Sequence, residues 1–215
     1  MNLVKVSPKK FCNNHRVNSE PAFPLRTERL ELRPLSDEDF AVHERLFGDP
    51  AVVRYLYDNV LEGDALREHF DKRWWRGVPP EGEWANLGVV VGGLCVGEVG
   101  FGLTSAVHGT CELGYVFSPE VAGLGFATEA IRATIELCLA LWRPHRLVLR
   151  MDARNDRSAA LARRLGFTLE AHFRENEFVK GEWTDEFCFA LLAWEWPTAA
   201  APVGLGRLEG REGAR

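Results

Sequence analysis

The chain has 215 residues, with 26 Lys plus Arg against 31 Asp plus Glu, and so a formal charge of −5 with neutral histidines. That balance argues against a broad nucleic-acid surface, while 46% hydrophobic and 27% charged residues set aside disordered, collagen-like and coiled-coil classes. No apolar run approaches the roughly 20 residues of a membrane span, and the N-terminus lacks the apolar stretch of a secretory signal. These features predict one cytoplasmic domain over 24–197 between an N-terminal tail (1–23) and a C-terminal tail (198–215), with no nucleic-acid or membrane partner, and leave monomer or homodimer open.

Glu28 to Leu35 alternates Leu30 and Leu32 with charge and predicts a first strand. Ser36 with Asp39 reads as a helix-capping pair, followed by Phe40, His43, Leu46 and Phe47 at helical spacing. Short helices are expected after Asp49-Pro50 and over 62–76. Trp84–Val91 and Leu94–Leu103, joined by Gly92-Gly93, predict a hairpin, and Thr110–Phe117 a further strand. A helix over 125–142, a strand over 146–151, a short helix from Arg157 to Leu165 closed by Gly166, and two long strands around a turn at Lys180-Gly181 complete the chain. Helices interrupt the strands too rarely for a doubly wound nucleotide fold.

The segment Leu113 to Ile131, LGYVFSPEVAGLGFATEAI, runs from a strand through a Gly-rich turn into a helix. Such a junction presents unpaired N–H groups at the positive end of a helix dipole, which suits a diphosphate, although a plain turn would read the same. Four amides bonding to a charged group at about 1.5 to 3 kcal/mol each outweigh the dipole's ~0.3 to 1 kcal/mol, so the amides would do the anchoring. A side chain at Gly123 or Gly125 would hold the phosphate off the backbone. A P-loop is excluded because GxxxxGK[ST] is missing.

The stretch Ala122-Gly123-Leu124-Gly125-Phe126-Ala127 resembles the acetyl-CoA loop of the GNAT acetyltransferases. Four motifs in order are similar to the RimJ/RimL-type branch, which includes acetyltransferases of ribosomal-protein N-termini: TERLELRPL at 27–35, ELGYVFSPEVAGLGFATEA at 112–130, NDRS at 155–158 and LGFTLEAHFRENEF at 165–178. Ala122 stands where the superfamily has Gln or Arg, and Leu124 where the branch commonly has a basic residue, departures that bear on affinity.

The resemblance implies an α/β (α+β) fold of GNAT type: a mixed, mostly antiparallel central sheet with splayed fourth and fifth strands, flanked by helices. It implies acetyl-CoA as co-substrate, no metal, and an amine acceptor, either a protein N-terminus or a small amine such as a polyamine or aminoglycoside. A non-catalytic acyl-CoA-binding module is the other reading. By this resemblance Tyr115, Val116 and Phe117 would pair with the pantetheine arm, with an N–H near Val116 facing the thioester oxygen. Gly123, Leu124, Gly125, Phe126, Ala127 and Thr128 would hold the diphosphate. Asn155 would bond the amide arm and Ser158 assist the departing thiolate, although both residue types also suit turns and caps. Glu177 aligns with the branch's catalytic base, with Glu112 in reserve and an exposed strand position as the plain alternative for Glu177. Cys111 and Cys138 adjoin no histidine, favouring direct transfer over an acetyl-cysteine. Arg163 and Arg164 would meet the ribose phosphate or solvent, Trp74, Trp75, Trp84 and Trp183 the acceptor pocket or the core, and acidic residues at 62–71 and 81–83 a cationic acceptor or solvent alone. His43, His69, His108 and His172 show no metal spacing.

Overall fold

In the computed structural model, residues 21–197 are described; the tail over 198–215, residues 1–20 and Cys12 lie outside them. Phe23, at the end of the expected N-terminal tail, packs edge-on against Trp75 with ring centroids 5.0 Å apart.

The first motif folds differently from its reading as one strand. Leu25–Arg26 (β1) and Glu31–Arg33 (β2) form an antiparallel hairpin, because a turn at 27–30 interrupts the alternation. Thr27 closes that turn: its N–H donates to Leu30 O at 2.9 Å and its Oγ1 accepts from Leu30 N–H at 3.0 Å. The capping pair forms as expected. Asp39 accepts from Ser36 N–H at 2.8 Å and from both Nη atoms of Arg33, and starts Phe40–Phe47 (α1).

Pro50–Val53 (α2) and Gly63–Asp71 (α3) follow, α3 ending five residues earlier than its pattern suggests. The sheet continues with Ala85–Val91 (β3), Leu94–Ser105 (β4) and Thr110–Phe117 (β5). Then come Phe126–Trp142 (α4), Arg146–Asp152 (β6), Asp156–Arg164 (α5), Thr168–Val179 (β7) and Glu182–Leu192 (β8). Gly166, with φ +88, terminates α5 in the left-handed region where a Cβ is unfavourable.

The sheet has eight strands in the order β1-β2-β3-β4-β5-β6-β8-β7. β5 and β6 are its one parallel pair among the described strands. Period-two alternation divides its faces. Leu87, Val99, Phe101, Cys111, Leu113, Leu147, Leu149 and Phe189 pack in one core with Ile131, Ile135, Cys138 and Trp142 of α4 and Leu161 of α5. On the other face Val116 joins Leu46, Phe47, Val53 and Leu66 of the α1–α3 region.

The pairing of β5 with β6 runs from Thr110↔Arg146 to Leu113↔Leu149 and stops. Gly114–Phe117 keeps its pairing with β4, and Arg150–Asp152 keeps its pairing with β8, so the two strands part at their C-terminal ends. These are the fourth and fifth strands of the sequence reading, renumbered because the first strand is two.

Candidate active site

A cavity of about 600 Å³ occupies the fork between β5 and β6. Gly114, Tyr115 and Val116 line it from β5, Leu149, Arg150 and Met151 from β6, and Asn155 and Ser158 from the start of α5. Trp84 and Gly100 form part of its wall. Gly100 lets the indole lie on the sheet, since a Cβ there would come within 2.8 Å of Asn86 Oδ1 and 3.2 Å of the Trp84 ring.

The open edge of β5 carries main-chain donors. Ser118 N–H donates to Val96 O at 2.9 Å, and by antiparallel alternation Val116 N–H also points to β4. The N–H groups of Tyr115 and Phe117 therefore turn toward the gap. The N–H groups that face the gap near Val116 are thus those of its neighbours in sequence, not its own.

The Gly-rich turn lies at the end of this edge, with Gly123 and Gly125 at φ +82 and +83. The amides of Ala122 and Leu124 bond back to Pro119 O and Val121 O, at 3.1 and 3.3 Å. Those of Gly123, Gly125, Phe126, Ala127 and Thr128 find no acceptor among the described residues, so the available row of donors excludes Leu124. No atom comes within 4 Å of a Cβ placed on Gly123, whereas one on Gly125 would meet Arg29 Nη2 at 3.4 Å.

Two arginines flank it. Arg164 Nη1 donates to Thr128 Oγ1 at 3.0 Å, whereas Arg163 stacks over Phe189 at 5.3 Å, away from the turn. Arg29 Nη1 donates to Leu124 O at 3.0 Å, its guanidinium lies 4.8 Å from the Phe126 ring centre, and it pairs with Glu129 at 2.7 Å.

Asn155 caps α5 through a 3.1 Å bond from Ser158 N–H to its Oδ1, and both side chains also line the cavity. The Tyr115 hydroxyl donates to Ser158 Oγ at 2.9 Å, which leaves the serine proton free to point elsewhere.

The carboxylates divide. Glu112 lines the cavity, and burial raises its pKa above the usual carboxylate value, opposed by Arg150 at 3.8 Å and reinforced by Glu186. Glu177 lies half-buried on β7 outside the lining, its Oε1 accepting from Asn176 Nδ2 at 3.0 Å. A bulge in β7 between Phe173 and Glu177 sets that position. Glu186, 2% exposed, accepts from Tyr57, Arg150 and Asn176, and burial together with Glu186 holds the Tyr57 phenol well above its ordinary pKa.

A polar chain that runs from the cavity wall to His43 has no signature in the local sequence. Arg73 Nη2 meets His69 Nε2 at 2.9 Å, His69 Nδ1 meets His43 Nε2 at 3.0 Å, and His43 Nδ1 meets Glu98 Oε1 at 2.6 Å. Glu98 Oε2 has no hydrogen-bond partner and faces Arg73 Nη1 at 3.7 Å. Asp58, Lys72, Arg73 and Glu83 complete a wall of mixed charge. Of the four tryptophans considered for the pocket, Trp84 alone lines it: Trp74 packs on Phe70, Trp75 on Phe23 and Phe101, and Trp183 on Phe178. The acidic residues of α3 are solvated, Asp71 pairing with Arg67 and Glu68 with Lys72.

Among the described residues no group of three or more His, Cys, Asp or Glu could hold a metal ion, and no helix is long and apolar enough to cross a membrane.

Comparison with known proteins fits this geometry. The acetyltransferase (GNAT) domain family matches residues 29–168, and the chain belongs to it. A spermidine N(1)-acetyltransferase of Escherichia coli is 26% identical over 168 residues, 78% of this chain and 88% of its own length. A Bacillus subtilis protein provisionally named a ribosomal N-acetyltransferase is 26% identical over 147 residues, covering 66% and 77%. A GNAT acetyltransferase structure from Bacillus anthracis superposes with a TM-score of 0.71 at 25% identity, covering 80% of this chain and 99% of its own. The Vibrio cholerae spermidine N-acetyltransferase in complex with CoA and spermine shares the fold, with a TM-score of 0.68 at 22% identity over 79% and 98% of the two chains. The protein is an acetyl-CoA-dependent acyltransferase.

Proposed function

We propose that the chain moves the acetyl group of acetyl-CoA directly to a primary amine held in the cavity, and that this amine is a protein N-terminus, as in the RimJ/RimL-type branch. The carrying observation is Glu112, a cavity-facing carboxylate whose pKa burial raises above the ordinary carboxylate value. An alkylamine is mostly protonated at pH 7 and must lose a proton before it can attack a thioester. Glu112 accepts that proton; Glu177, outside the cavity wall, is bonded by Asn176 instead.

Acetyl-CoA contributes the activated thioester. The amides of Gly123 and Gly125–Thr128 bind its diphosphate, with Arg164 as a flanking cation. The open edge of Tyr115–Phe117 bonds the amide arm beside Asn155, and an outward N–H of that edge stabilises the thioester oxygen as charge develops, a contribution of roughly 3 kcal/mol for one well-aimed donor. Ser158, oriented by Tyr115, donates a hydrogen bond to the departing sulfur, and the thiolate takes its proton from the newly acylated nitrogen. Cys111 and Cys138 take no covalent part. Both are fully buried, and burial beside Cys111 pushes the Cys138 thiol well up.

The mixed charge of the wall supports an acceptor that combines an amine with oxygen acceptors. Lys72, Arg73 and Arg150 line the same cavity as Asp58, Glu83, Glu98 and Glu112, and a peptide N-terminus presents its ammonium to the carboxylates and its carbonyls to the cations. A polyamine is the second reading. Its support is the similarity to spermidine acetyltransferases and the four carboxylates. Acetyl-CoA consumption over a panel of peptides, polyamines and aminoglycosides tests both: turnover of peptides above polyamines is expected, the reverse order favours the second reading, and no turnover of any amine contradicts both.

A further inference from the structure

The motif at 27–35 and the Gly-rich turn are far apart in sequence but joined in space. Glu129, in the first turn of α4, accepts through Oε1 from Thr27 Oγ1 and from Arg29 N–H at 2.9 Å, and through Oε2 from Arg29 Nε at 2.7 Å. Arg29 then reaches over the turn to Leu124 O at 3.0 Å and stacks on Phe126. Its Nη2 lies 3.4 Å from where a Cβ on Gly125 would stand. The pairing holds although burial opposes ionisation of Glu129: hydrogen bonds from Thr27 and Arg29 outweigh that penalty and keep its pKa low.

We propose that Thr27, Arg29 and Glu129 form a clamp that fixes the Gly-rich turn for the diphosphate, replacing the basic side chains that Ala122 and Leu124 do not provide. The proposal rests on the acetyl-CoA reading of the turn. Two positive-φ glycines give the turn freedom that must be lost before its amides can converge on one anion. Arg29 removes part of that freedom in advance by holding the Leu124 carbonyl and the Phe126 ring on either side of Gly125. With Glu129 balancing its charge, Arg29 is a positioning residue rather than the phosphate's own counter-ion.

The test is calorimetric binding of CoA and of pantetheine, which lacks the diphosphate, to the wild type, Arg29→Ala, Arg29→Lys and Glu129→Gln. The wild type is expected to bind CoA more tightly than pantetheine. Arg29→Ala and Glu129→Gln are each expected to shrink that preference about tenfold, and Arg29→Lys, which keeps the charge but loses the fork, to restore little of it. A preference retained in Arg29→Ala and Glu129→Gln, equal losses for CoA and pantetheine, or full rescue by lysine overturns the clamp. A wild type with no preference for CoA instead overturns the assignment of the turn. Should Arg29→Ala fold poorly, Glu129→Gln and Arg29→Lys decide the matter alone.

Discussion

The two faces of the central sheet are made by the same strands and do opposite work. Toward α4 and α5 the strands present Leu87, Val99, Phe101, Leu113, Leu147 and Phe189, all almost fully buried. One residue along, the other face presents Asn86, Glu98, Gly100, Glu112, Gly114 and Arg150, and these line the cavity. The apolar face fixes where β5 and β6 lie, and the polar face uses that rigidity to hold charged groups in a partly desolvated fork. Their separation rests on alternation along each strand, so the faces should respond differently to substitution.

The largest effect is expected from the apolar face. Phe101→Ala opens a hole between Trp75 and Trp142, and a buried phenylalanine truncated in this way costs about 3 to 5 kcal/mol. Denaturant unfolding should show that loss, and an unchanged midpoint would break the comparison. On the polar face Glu112→Gln keeps the shape and removes the base. Its kcat/KM should fall about 100-fold or more with the unfolding midpoint little altered, whereas Glu177→Gln should cost much less activity. A larger loss from Glu177→Gln would return the base to β7.

Acidity sharpens the contrast. Glu112 must be ionised to accept a proton and burial has raised its pKa, so activity should fall as pH drops through a value above that of an ordinary glutamate. Arg150 opposes that rise, so Arg150→Gln should move the acid limb of the kcat/KM profile to higher pH. A limb that stays in place would exclude Glu112 as the titrating group. The smallest effect is expected at the α5 cap, where Asn155→Ala should cost about 1 kcal/mol of stability and, beyond that, weaken CoA binding. Lost stability with unaltered affinity would leave Asn155 a cap alone.

Much of this was legible in the sequence. TCELGYVF at 110–117 shows its two faces directly, with Cys111 and Leu113 on one and Glu112 and Gly114 on the other. The glycines at 123 and 125 marked the turn, and Ser36 with Asp39 marked a cap that forms. Features that depend on distant partners were hidden. ERLELRPL alternates across a hairpin turn as it would along one strand, and the bonds that bend it are local to Thr27 but anchored by Glu129, about a hundred residues away. Glu98, between Gly97 and Val99, is 2% exposed because His43 and Arg73 come to it from α1 and the segment after α3, partners that local sequence does not reveal. The β7 bulge that takes Glu177 outside the cavity wall has no signal in local composition.

A crystal structure of the protein with CoA tests the central claim most directly. The diphosphate should lie against the amides of Gly123 and Gly125–Thr128, with the arm along Tyr115–Phe117 and the sulfur within reach of Ser158, facing Glu112 across the fork. CoA bound elsewhere, or a sulfur turned away from the fork, would contradict it.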